Sequence, residues 1–130
     1  MVSRMSDITE TVDTYLAMWN EEDPAARATL IERAWAAGGR YSDPVQEAEG
    51  HDALSAMVEG IHSHYPGQRF RRTSGVDTHH DEVRFGWELG VPGGDITVAG
   101  VDIGILGADG RFERITGFFG DLPAAESAAA

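Results

Sequence analysis

The chain has 130 residues, a length that suits one domain with a single buried core. Its 22 acidic against 10 basic residues give a formal net charge of -12, a field that repels phosphate backbones and anionic lipid surfaces and so argues against nucleic-acid or membrane-surface binding. There is no cysteine, which rules out disulfides and thiolate metal sites and fits a reducing, cytoplasmic setting.

The first residues, MVSRMSD, are too polar for a signal peptide, and no apolar run reaches the length of a membrane span. Ile8, Val12, Tyr15, Leu16 and Trp19 recur at helical spacing and predict an amphipathic helix over residues 7–20. Asp23-Pro24 reads as an N-cap with proline at the first helical position. The helix it opens buries Leu30, Ile31, Ala34 and Trp35 and is expected to close at Gly38-Gly39. A short extended piece follows, Tyr41-Ser42-Asp43-Pro44-Val45. After Gly50, a third helix places Leu54, Met57, Val58, Ile61 and Tyr65 on one face and stops at Pro66-Gly67.

The pattern then changes to strands: Arg69 to His79, Glu82 to Val91, Asp95 to Leu106 and Arg111 to Asp121. Turns at His80-Asp81, Pro92-Gly93-Gly94 and Ala108-Asp109-Gly110 join them. Helices first and an antiparallel meander after them predict an α+β domain over residues 1–122, with a flexible tail over residues 123–130. The strand from Asp95 to Leu106 is apolar on both faces, with Val101, Ile103 and Ile105 in one row. Helices can cover one side, and a second copy of the chain is the economical cover for the other, so a homodimer is expected.

Three groups are candidates for chemistry. Asp43 stands before a proline, which pushes it toward extended backbone; it is either a turn cap or a general base. Tyr15 lies on an apolar helical stripe. Asp102 interrupts an apolar strand between Gly100 and Gly104. Facing inward it would favour its neutral form; the reverse orientation leaves it in water, and periodicity allows both. The histidines His51, His62, His64, His79 and His80 share no ligand spacing and read as solvent-exposed. No serine sits in a nucleophile elbow and no glycines form a phosphate loop. A carboxylate, a phenol and a second, neutral carboxyl around an apolar hollow suit proton transfer beside a carbonyl, without a cofactor.

Three segments resemble the bacterial ketosteroid isomerases, within the cone-shaped superfamily that includes nuclear transport factor 2, SnoaL-type polyketide cyclases, scytalone dehydratase and limonene epoxide hydrolase. TYLAMWNEED is similar to the family's first helix, whose tyrosine donates to the substrate oxygen. YSDPV is similar to its Asp-Pro-Val, and VDIGILGADGR to the strand and hairpin bearing its protonated aspartate. The resemblance implies Asp43 as base and Tyr15 and Asp102 as oxyanion donors. It also implies a cone-shaped curved antiparallel sheet on three N-terminal helices, and an inward-facing Asp102. The substrate pocket is then expected to be lined by Trp19, Met57, Val58, Ile61, Phe85, Trp87, Leu89, Gly104, Leu106, Ile115 and Phe119. Two departures stand out. Met57 and Val58 occupy a place where the family often has further tyrosines, and Gly104 replaces a bulky aromatic, which predicts a wider or differently shaped cavity. The implied activity is steroid-type double-bond isomerisation beside a ketone. A SnoaL-like cyclase or dehydratase acting on a polyketide-like substrate, and a dimeric module that only binds an apolar ligand, are the alternatives.

Overall fold

The computed structural model describes residues 4–126. Helix α1 (Arg4–Asn20) buries Ile8, Val12, Tyr15, Leu16 and Trp19, the stripe that its spacing predicts, and Met18 besides. Helix α2 (Pro24–Ala34) opens where Asp23 accepts from the Ala26 amide at 2.8 Å, beside a proline that has no amide to leave unpaired. Its end differs from expectation. The chain turns extended at Trp35 and enters strand β1 (Trp35–Ser42) directly. Gly38-Gly39 therefore lies inside a strand, where the ladder to the neighbouring strand shifts register between Trp35 and Arg40. A Cβ on Gly39 would stand 2.4 Å from the Trp35 ring, so the glycine makes room for the indole at a bulge and ends no helix. Strand β2 (Glu47–Glu49) precedes helix α3 (His51–His64), which starts after Gly50 at φ 87° and stops before Pro66-Gly67.

Arg27 ties the helices together. Its guanidinium is buried on α2 and donates to the carbonyls of Glu21 (2.9 Å) and Glu22 (3.2 Å), and to Ser55 Oγ (3.2 Å) and Glu59 (2.7 Å) on α3. Buried charge is tolerated when its donors are met in this way.

The remaining strands are β3 (Arg69–Arg72), β4 (Asp77–His79), β5 (Glu82–Gly90), β6 (Ile96–Leu106) and β7 (Phe112–Phe119). The single strand expected from Arg69 to His79 is two pieces. Between them the Gly86 amide donates to Ser74 Oγ (2.8 Å), so a side chain interrupts the backbone ladder. The sheet runs β2-β1-β7-β6-β5-β3, with β4 also on β5, and it is curved and not closed. The meander β5-β6-β7 is antiparallel, as expected, but β1 joins β7 in parallel and makes the whole sheet mixed. One face packs on the three helices. On the other, Val101 (39%), Ile103 (37%), Ile105 (36%) and Phe118 (57%) remain exposed.

Residues 123–126 are exposed and carry no regular structure; the rest of the expected tail, 127–130, and the first three residues of MVSRMSD lie outside the described residues. Among the described residues no helix is long and apolar enough to cross a membrane.

Candidate active site

Strand β1 delivers Asp43 one residue past its end, and the Asp-Pro turn fixes it there. The Asp43 amide bonds to the Gln46 carbonyl at 2.9 Å. Its Oδ1 accepts from the amides of Val45 (2.9 Å) and Gln46 (3.1 Å), while its Oδ2 accepts from Tyr41 Oη at 2.7 Å. The turn-cap reading thus describes one oxygen. The other meets a phenol that, like Asp43 itself, lines an apolar cavity.

Asp102 enters the same cavity from β6, facing inward with 3% of its surface exposed. Tyr15 Oη donates to its Oδ2 at 2.7 Å and Trp87 Nε1 to its Oδ1 at 2.9 Å. Trp87 can reach because β5 pairs with β6 so that it stands opposite Gly100, two residues from Asp102 on the same face. Burial pushes the Asp102 carboxyl up to about 7; the bonds from Tyr15 and Trp87 pull it down, and the nearby Asp43 raises it again. Desolvation outweighs the two donors, so much of the group stays neutral near pH 7. Burial holds both Tyr15 and Tyr41 well above the ordinary phenol range, with Asp102 raising both and Asp43 raising Tyr41, so both remain donors. Within a neutral Tyr15–Asp102 pair, one hydroxyl proton occupies the 2.7 Å contact and the other is free for a ligand oxygen.

Gly117 on β7 brings the two pairs together. A Cβ there would lie 2.9 Å from Asp102 Oδ1, 3.2 Å from Tyr41 Oη and 3.3 Å from Asp43 Cβ. Two phenol–carboxyl pairs therefore border one small volume.

The cavity measures about 270 Å³. Of the expected lining residues, Trp19, Ile61, Trp87, Leu89 and Phe119 border it. Met57, Val58, Phe85, Gly104, Leu106 and Ile115 do not; they lie in the core beneath it. The expected widening at Gly104 is likewise absent there, because the Phe112 ring fills that space: a Cβ on Gly104 would lie 2.6 Å from it. Tyr41, Gln46, Tyr65 and Phe70 border the cavity unanticipated. Tyr41 carried a usable signal, since two residues before Asp43 along a strand is the same face. Phe70 and Tyr65 carried none beyond apolar character.

Two histidines depart from the expected exposure. His51 Nε2 lies 3.1 Å from the Trp35 carbonyl and His62 Nε2 lies 2.7 Å from that of Trp19, both half-buried. His64, His79 and His80 are exposed. Among the described residues no group of three or more His, Asp or Glu side chains could hold a metal ion.

A family model for a SnoaL-like domain matches residues 12–115. A candidate isomerase of the SnoaL-like family from Agrobacterium tumefaciens strain C58 is 37% identical, with a TM-score of 0.83 over 89% of this chain and 99% of that one. A candidate SnoaL-like polyketide cyclase from Jannaschia sp. CCS1 is 21% identical, with a TM-score of 0.63 over 85% of each chain. A de novo designed protein with a curved β-sheet is 14% identical, with a TM-score of 0.68 over 92% of this chain and 88% of that one. The last two share the fold alone, and a fold without its side chains carries no activity. No curated protein matches the chain.

Proposed function

The chain belongs to the SnoaL-like domain family, within the nuclear transport factor 2-like superfamily, and from that premise we propose that it is a cofactor-independent isomerase that moves a double bond next to a ketone, working as the ketosteroid isomerases do. The observation that carries this reading is the meeting of two carboxyl groups in unlike surroundings at one apolar cavity. Asp43 is half-buried and held by two backbone amides and a phenol, whereas Asp102 is buried against Tyr15 and Trp87.

In the proposed reaction, Asp43 Oδ2 takes a proton from the carbon between the ketone and the double bond. The electrons move into a dienolate, and the proton returns to the far end of the conjugated system, leaving Asp43 ionised as it began. The developing negative charge on the ketone oxygen meets the free proton of the Tyr15–Asp102 pair. The apolar walls contributed by Trp19, Phe70, Trp87 and Phe119 keep water from competing for that proton. The 37% identical candidate isomerase supports the same class of reaction.

Conversion of a β,γ-unsaturated ketone to its conjugated isomer, followed by ultraviolet absorbance, tests this directly. Asp43→Asn removes the base and should cut kcat by roughly 10²–10⁴-fold. Asp102→Leu should lower it by about 10²–10³-fold. Full activity in Asp43→Asn would overturn the base assignment. Ligand binding without turnover by the unmodified protein would replace the enzyme with a binding module.

A further inference from the structure

The depth of the cavity is set by groups that take no part in the acid–base chemistry. Gly104 faces inward on β6, yet a Cβ at this position would lie 2.6 Å and 2.8 Å from two carbons of the Phe112 ring and 3.3 Å from Ile115 Cγ1. Phe112 therefore occupies the space that a larger residue at 104 would fill. Its ring packs at 5.9 Å against Tyr15 and at 6.3 Å against Trp35. Trp35 (5.8 Å) and Phe85 (5.9 Å) complete a collar around the Tyr15 ring. All three collar residues are buried, so the hollow is floored at the level of Tyr15 and Asp102. What stays open is about 270 Å³, below the roughly 300–1,000 Å³ of pockets that enclose drug-sized ligands. Its other end opens between Val45, which is 74% exposed, and the exposed Thr97.

The Tyr15–Asp102 pair stands at the floor, so a ketone whose oxygen meets it enters oxygen first with its carbon skeleton trailing toward solvent. Resting on the isomerase reading of this same site, we propose that the substrate is a ketone of one or two rings: the cavity encloses the reacting ring and its neighbour, and leaves any further ring in water. Apolar surface that stays in water adds no affinity. A tetracyclic skeleton thus gains nothing here over a bicyclic one, the limit being set by the small enclosed volume above the packed floor at Tyr15 and Asp102.

Phenols mimic the enolate and allow binding to be read apart from turnover. Titration calorimetry on the unmodified protein compares phenol, 2-naphthol and a tetracyclic phenolic steroid. Affinity should rise from one ring to two and then gain less than tenfold from two rings to four. A gain of tenfold or more in that second step overturns the proposal, as does an absence of binding by 2-naphthol. Turnover of β,γ-unsaturated ketones with the same ring counts separates the two ideas. A binding plateau at two rings with no isomerisation of any ketone sinks the isomerase reading and leaves the size limit standing. A tetracyclic ketone whose kcat/KM exceeds the bicyclic one tenfold sinks the size limit and leaves the isomerase reading standing.

Discussion

At Gly117 the absence of one carbon lets Asp102, Tyr41 and Asp43 share a single volume, since a methyl there would press 2.9 Å from Asp102 Oδ1. Gly117→Ala should move the carboxyl or the phenol by several tenths of an ångström and lower kcat by up to ~10²-fold, because small misplacements of reacting groups are costly. The melting temperature should change far less than kcat. Tyr41→Phe deletes the phenol that donates to Asp43, and should lower kcat by roughly ten- to a hundredfold with KM little altered. Steady-state kinetics on purified variants checks both. Asp102 gives the pH dependence. Its folded carboxyl titrates near 7 against an ordinary value of 3.8, so the native state holds the proton more tightly than the unfolded chain does. That contribution is fully present below pH 3.8 and is lost as pH rises to about 7, a change on the order of 4 kcal/mol. Urea unfolding across this window should show the decline in the native protein and not in Asp102→Asn, and kcat should fall as pH rises through 7. The inward aspartate was only half legible: strand periodicity allowed either face, and resemblance alone chose. Trp87 as its partner was not legible as such, because that contact depends on which residues of β5 stand opposite β6.

Among the elements, the three helices, the meander and the hairpins follow from apolar spacing and turn residues. Two boundaries do not. Gly38-Gly39 looks like a helix stop in one dimension, yet the chain is already extended at Trp35, whose buried indole competes for the same space as a Cβ on Gly39. The break after Arg72 is equally hidden, because it arises from a pairing between Ser74 and Gly86. Arg27 is the clearest case of tertiary context outweighing composition. A charged residue on a short helix reads as a surface group, but here it fastens the α1–α2 connection to α3. Arg27→Met keeps the length and loses the donors to the Glu21 and Glu22 carbonyls, Ser55 and Glu59. The expected cost is about 3 kcal/mol, or roughly 10 °C in melting temperature for a domain of this size. Differential scanning calorimetry checks it, and activity at low temperature should survive.

For the molecule as a whole, the uncovered face of the sheet carries the remaining expectation. Val101, Ile103 and Ile105 form an apolar row beside Phe118, with Arg84 opposite Ile103 on the neighbouring strand. We propose that a second copy of the chain covers this row. Ile103→Glu places a charge in the middle of it, and should convert a species of twice 14.0 kDa into one of 14.0 kDa in sedimentation velocity. Because each copy carries a net charge of -12, added salt should tighten the native pair. The parallel pairing of β1 with β7 reaches further, into the birth of the protein. Tyr41 sits beside Ile115 and Ser42 beside Thr116, so the strand that presents Asp43 has no partner on that side until the segment through Phe119 has been synthesised. Contacts so distant along the chain form slowly. A nascent chain thus carries Asp43 early and without power, and the pocket comes into being at a stroke when β7 is laid down between β1 and β6.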